Sequence, residues 1–309
     1  MNRMSRFAQS GDCRIFCRLT AAVCLFVAWI TQGLAQDLSE IKANGVIRHL
    51  GVPYARFVDG NGDGFDSDLI RLFATHLGVR YEYVKTDWNN VIQDLIGSDI
   101  QYHPETRTTG ARPVRGDVIA NGLTVLANRE KLIAYSDPTF ASAVWLLART
   151  DSKVTPITPK GSLADDIRAT KAKLSEGETF VVDNSCLDPK LYDLEGHGYR
   201  FRHFSAANSQ NDLVPAMLKR EGEMTLLDVP DIIVAIGKWP GKIKVIGPVS
   251  DEQPMGVGFR KTSPELRRAF DEFLTGIKAN GTYMQLVRKH YRLAPTYMPK
   301  FFNDPSIKH

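Results

Sequence analysis

Cysteine is scarce in this 309-residue chain: four in all, with Cys13, Cys17 and Cys24 near the start and Cys186 far from them. The first 35 residues read as an export leader, so Cys186 stands alone in the processed chain and an internal disulfide is excluded. There is no glycine-rich phosphate loop and no dinucleotide fingerprint, which removes the usual nucleotide-binding classes. The histidines (His49, His76, His103, His197, His203, His290 and His309) are scattered, with no paired metal-ligand spacing. No cofactor and no metal are expected. Repeats, low-complexity blocks and a second long apolar run are also missing. An excess of positive charge is missing too, once the leader is set aside. The formal charge of +4 drops to about +1 without its four arginines and one aspartate, so nothing draws the chain to nucleic acid or anionic lipid.

The leader itself has three parts. Arg3, Arg6, Arg14 and Arg18 stand against the single Asp12, an apolar run follows from Leu19 to Ile30, and small residues at Gly33 and Ala35 suit cleavage before Gln36. The run of about 12 residues is short for a bilayer span, which needs roughly 20. Cys24 follows Val23, where a lipid-anchored chain would carry a small residue, so lipidation is not expected.

The remaining residues alternate between strand-like and helix-like segments. Val46–Val52, Tyr81–Val84 and Val118–Ala120 read as strands. Leu69, Leu72, Phe73 and Leu77 repeat at helical spacing before a stop at Gly78, and Trp88–Ile96 is a second amphipathic segment. The turn-rich run Asp59-Gly60-Asn61-Gly62-Asp63-Gly64 predicts a hairpin over 57–65. That run matches half of a calcium loop, but the required acid at its twelfth position is Ile70.

Val144–Ala148 reads as a further strand, and the polar stretch Thr150–Gly161 with Pro156 and Pro159 reads as a crossing. A second alternating set runs to Ile246, and the chain closes with helices over Pro264–Ala279 and Tyr283–Tyr291. The expectation is an α/β chain with two α/β lobes joined by two crossing segments and a ligand cleft between them. Lobe 1 takes residues 36–149 and 252–309, and lobe 2 takes 150–251.

Gly122–Arg129 reads GLTVLANR and is followed by Ser136-Asp137-Pro138. A strand breaks into a turn, bringing free backbone groups, the Thr124 hydroxyl and the Arg129 guanidinium toward one small anion. Arginine binds a carboxylate bidentately, so a carboxylate is the natural guest.

Four segments in order, Gly64-Phe65-Asp66-Ser67-Asp68-Leu69, Gly122 through Pro138, Leu227-Asp228-Val229-Pro230, and Ser263 through Tyr283, resemble the bacterial family 3 extracellular solute-binding proteins. These are the receptors of polar-amino-acid ABC importers. Ser67 and Phe73 depart from the family's usual choices.

The resemblance implies a periplasmic-binding-protein-like fold, hinge closure, and a periplasmic monomer that captures a small zwitterionic or carboxylate ligand. It also implies ABC-importer membrane subunits as partners. By the same resemblance Arg129 holds the ligand carboxylate and Asp228 the ammonium. Thr124, the Gly122 backbone and neighbouring Asn121 supply hydrogen bonds, and Tyr54 and Trp88 form aromatic walls. Ser185 and Cys186 lie in the second-lobe loop, where Cys186 replaces the usual threonine and Asp188-Pro189 predicts a delayed helix start. The segment from Gly97 to Gly116 is longer than the family pattern. An enzyme on the same scaffold, such as a cyclohexadienyl or arogenate dehydratase, needs a carboxyl acid of raised pKa, for which Asp183 or Asp228 would serve. A ligand-sensing subunit without transport is the third reading.

Overall fold

The computed structural model describes residues 37–102, 104–204 and 210–308. The expected leader therefore lies outside the described residues, as does His103. Asp37 opens the first described helix, Leu38–Asn44, through a capping box with Glu40. Strand β1 (Val46–Gly51) follows, and the helix Phe65–Leu77 carries the chain back to β2 (Arg80–Lys85), parallel to β1. That helix buries Phe65, Leu69, Ile70 and Phe73 and ends at Gly78 in the left-handed region, as its spacing predicts.

The 57–65 hairpin does not form. The Asp59 carboxylate accepts from the Asn61 and Asp63 amides at 2.8 and 2.9 Å, closing a local turn, and the second flank winds into the helix from Phe65. The apolar residues after Gly64 recur at helical spacing, and that period overrides the turn signal.

After the short helix Val91–Ile96, the long 97–116 segment folds as a hairpin of β3 (Ser98–Gln101) and β4 (Arg107–Ala111). Two of its arginines anchor it to that helix. Arg115 reaches the fully buried Asp94 at 2.7 Å and Arg112 at 3.3 Å. Strand β5 (Val118–Ile119) then joins β1 in parallel, and β6 (Ile133–Tyr135) lies at the sheet edge.

The chain leaves the first sheet through β7 (Phe140–Ser142) and enters the second as β8 (Val144–Arg149). The expected boundary at 149 is therefore late. Strand β8 is the antiparallel partner of two second-sheet strands, and Thr150–Gly161 runs along that sheet, with the Ile157 amide bonded to the Ile246 carbonyl. The prolines of that stretch mark a surface connection, not a crossing. Next come β9 (Glu178–Val181), β10 (Arg200–His203), β11 (Met224–Asp228) and β12 (Ile243–Pro248), giving the order β10-β9-β11-β8-β12. Strand β13 (Gln253–Met255) pairs antiparallel with β7 as the return crossing, and β14 (Gly258–Arg260) completes the first sheet in the order β2-β1-β5-β14-β6. The helices Pro264–Ala279 and Thr282–Tyr291 close the first lobe and bury Phe270, Leu274, Tyr283 and Tyr291. Two mixed α/β sheets joined by a two-stranded crossing are the observed architecture.

Two buried acids hold the strand ends that carry the cleft. Asp117 takes Arg48 at 2.8 Å and Arg260 at 3.4 Å, tying β1 to β14. Asp66 accepts the Gly122 amide at 2.6 Å, which fixes the turn ahead of Arg129. Gly122 has φ +66, and a Cβ there would lie 2.4 Å from the Phe57 ring. Gly122→Ala is therefore expected to lower stability by roughly 2 kcal/mol and the melting temperature by about 4 °C. An unchanged melting curve would show that the turn tolerates a side chain.

Candidate functional site

Arg129 sits on the one-turn helix Ala127–Glu130, placed by the Gly122 turn and by β6 after it. It is 7% exposed. Its Nη1 donates to the Thr124 carbonyl at 3.1 Å, and its guanidinium lies 5.9 Å from the Trp88 ring centre. Asp117, a conceivable partner, is taken by Arg48 and Arg260. Among the described residues no carboxylate lies within ion-pair distance of Arg129. A buried guanidinium with five donors, answered by one carbonyl and the neighbouring Tyr135 hydroxyl, is set up for an external anion.

That anion has a place to sit. A cavity of about 140 Å³ opens between the lobes, with Trp88, Asn89, Tyr102 and Arg129 on the first side. Val182, Asp183, Asn184, Ser185 and Gln210 face them from the second. Of the residues nominated from the sequence, Arg129, Trp88 and Ser185 line this one cavity. Asn89, Tyr102, Asn184 and Gln210 were not singled out. Asn89 adjoins Trp88 and was within reach, whereas Tyr102 arrives on the extra hairpin.

Asn121, Gly122, Thr124, Tyr54, Cys186 and Asp228 are not on the cavity wall. The Gly122 amide is spent on Asp66, so it is not offered to a guest. Asn121 is fully buried with neither amide atom hydrogen-bonded. Thr124 contributes its carbonyl to Arg129 and Tyr135, while its buried hydroxyl has no partner of standard geometry and influences the Cys186 thiol.

Asp228 ends β11 and stands at the N-cap of the helix Val229–Lys238, yet its carboxylate caps nothing. It is 1% exposed and fully engaged. Oδ2 accepts the Tyr54 hydroxyl at 2.6 Å and the Cys186 thiol at 3.2 Å, and Oδ1 accepts the Ser142 hydroxyl at 3.1 Å. Burial raises its pKa, while these donors and the Arg129 charge pull it down. Tyr54 is therefore a hydrogen-bonding post, stacked on Phe57 at 6.1 Å and edge-on to Trp88 at 5.7 Å, rather than a wall of the cavity. Burial, reinforced by Asp228, pushes the Cys186 thiol well above its ordinary value, so the sulfur stays protonated and donates.

The second-lobe loop takes the form its sequence predicts. Asp188 caps a single turn, Pro189–Tyr192, accepting from Lys190 at 3.0 Å and from the Asn184 amide at 2.9 Å. Asn184 is left-handed at φ 57, and the Ser185 hydroxyl bonds Val182 and receives the Leu187 amide. Asp183 points to His203 at 2.9 Å, both side chains about half exposed (48% and 55%).

A second interlobe cavity, about 230 Å³, includes Pro53, Asp59, Gln210 and Asp231 in its lining. Among the described residues the Asp231 carboxylate has no hydrogen-bond or ion-pair partner, and Asp231 is 6% exposed. Burial, then the neighbouring Asp228, lift its carboxyl to about 8, with Lys238 opposing. Among the described residues no three His, Cys, Asp or Glu side chains gather to hold a metal, and no helix is long and apolar enough to cross a membrane.

Comparison with known proteins places this geometry. The model of the bacterial extracellular solute-binding proteins, family 3, matches residues 100–292. A membrane-bound lytic murein transglycosylase F of Desulfosudis oleivorans is 25% identical over 76% of this chain, which spans 45% of that enzyme's length. The lysine/arginine/ornithine-binding periplasmic protein of Escherichia coli is 24% identical over 75% of this chain and 81% of its own. Among solved structures, a mutant of the arginine-binding protein ArgBP from T. maritima superposes with a TM-score of 0.64. It has 23% identity and covers 82% of this chain and 99% of its own, a likeness of fold.

Two of the raised acids, Asp66 and Asp231, set a pH dependence. Asp66 titrates at about 7 and Asp231 at about 8, each first because of burial. Their folded pKa values exceed the unfolded ones, so the folded state holds more protons. This stabilisation is complete below about pH 4 and is lost as pH rises toward about 8. Replacing Asp231→Asn is expected to remove roughly 1–4 kcal/mol of the stability lost between about pH 5 and about pH 8. Urea titrations at the two pH values measure this, and parallel losses in both proteins would refute it.

Proposed function

We propose that this chain, which belongs to the bacterial extracellular solute-binding proteins of family 3, is a periplasmic receptor. It captures a small amino-acid-like or carboxylate ligand between its lobes and presents it to the membrane subunits of an ABC importer. The observation that carries the reading is Arg129, a buried cation on the wall of an interlobe cavity with no carboxylate among the described residues within ion-pair distance. The β7–β13 pair supplies the narrow crossing about which two such lobes can hinge. Relatives named as periplasmic binding proteins support the compartment and the binding role. A cleaved leader over residues 1–35 fits the same destination.

A dehydratase-like activity has one observation in its favour, the raised pKa of Asp228. A general acid must reach its substrate. Asp228 is off the cavity wall and held by three donors, which favours binding over catalysis. The transglycosylase relative offers no more, since this chain spans under half of it.

Thermal-shift screening against the standard amino acids and small mono-, di- and hydroxycarboxylates tests the reading, because a guest that prefers the folded state raises the melting temperature. For any hit, Arg129→Ala is expected to weaken calorimetric affinity more than about tenfold, a charge-assisted contact being worth about 1.5–3 kcal/mol. A screen with no hits, or a hit whose affinity survives the loss of Arg129, would remove the proposal.

A further inference from the structure

We propose that the cleft selects a carboxylate that carries no ammonium on its α-carbon, its other polar groups being hydroxyl or carbonyl. This rests on the receptor reading above and narrows the class of guest.

Among the described residues on the cavity wall there is one buried cation, Arg129, and no buried carboxylate. The buried carboxylate nearest in role, Asp228, is off that wall and engaged by three donors. Its three donors come from three parts of the fold: Tyr54 from the first lobe, Ser142 from the crossing and Cys186 from the second-lobe loop. None is free to leave cheaply. Tyr54 is 2% exposed, packed between Phe57 and Trp88, and a hydroxyl turned away from Asp228 would lose its partner inside the core. An ammonium bonding to Asp228 must displace one of these donors.

Asp183 is the only carboxylate on the described cavity wall, and it offers little to an ammonium. It is half exposed and already bonded to His203, so water and that ring screen its charge. The rest of the wall is rich in amides. Gln210 is 6% exposed, and its side chain makes no hydrogen bond among the described residues. Asn89 and Asn184 stand on opposite sides of the same space. Amides both donate and accept, which matches hydroxyl and carbonyl oxygens, whereas an ammonium can only donate. Trp88 and Tyr102 supply faces for the carbon skeleton.

Matched skeletons test this by calorimetry on the native chain. The sets are alanine, lactate and pyruvate; glutamate, 2-hydroxyglutarate and 2-oxoglutarate; and leucine with its hydroxy and oxo acids. The expected result is that, in every set that binds, the hydroxy or oxo acid binds at least about tenfold tighter than the amino acid. An amino acid that binds as well as or better than its counterparts overturns the inference while leaving the receptor reading intact. Failure of every carboxylate instead overturns the receptor reading. Tyr54→Phe supplies the second arm, once its melting transition shows it folded. Removing the hydroxyl opens an acceptor site on Asp228, so the preference for the hydroxy or oxo acid is expected to narrow by about tenfold or reverse. An unchanged preference would show that Asp228 is not what excludes the ammonium.

Discussion

Asp228 is the point through which the two lobes and their crossing are joined. A carboxylate removed from water costs several kcal/mol unless its oxygens are matched by donors. Here one hydroxyl comes from each of the first lobe and the crossing, and a thiol from the second lobe, all converging on a single side chain. The arrangement exists only when the lobes are together, because Tyr54 follows β1 of the first sheet and Asp228 ends β11 of the second. The Asn211 side chain adds two further bridges, accepting from the Ala55 amide at 3.2 Å and donating to the Pro53 carbonyl at 3.3 Å. The described geometry is therefore the closed one, with a buried acid whose hydrogen bonds would be broken by opening.

The same closure leaves the opposite charge unmatched. Arg129 has the Thr124 carbonyl and the face of Trp88, which offset part of its desolvation, but no counter-ion. One buried charge is thus answered from inside the protein and the other is left for a guest. A receptor built on two unmatched charges would ask its ligand for both signs. The described cavity wall offers Arg129 and otherwise amides, aromatic faces and the half-exposed Asp183.

Much of the scaffold was legible in the sequence, because helices declare themselves by period and stop signals. The helix Pro264–Ala279 and the stop at Gly78 follow directly from spacing. The lobe boundary was misplaced because a buried strand such as Val144–Arg149 looks the same in either sheet, and the prolines after it imitate a crossing. At the site, Arg129, Trp88 and Ser185 reach the cavity because they sit where local turns aim them. The role of Tyr54 could not be read, since its partner is 174 residues away and the choice between lining a cavity and bonding Asp228 is made by tertiary packing.

The 97–116 hairpin reaches the cavity wall without being loose. Closing a longer loop costs little in entropy, and the cost rises slowly with length. Loose ends would be the greater liability, and here they are tied. Arg112 and Arg115 converge on Asp94, which also takes the Thr86 hydroxyl at 2.7 Å, so one buried acid fixes the return of β4 against the helix that follows Trp88. The Gln93 side chain receives the Ile100 amide at 2.9 Å and fixes the outgoing strand to the same helix. Tyr102 therefore approaches the cavity from a braced hairpin, on the same side as Trp88 and Asn89. Residues of this hairpin can then vary without moving Arg129, which is held by a different turn.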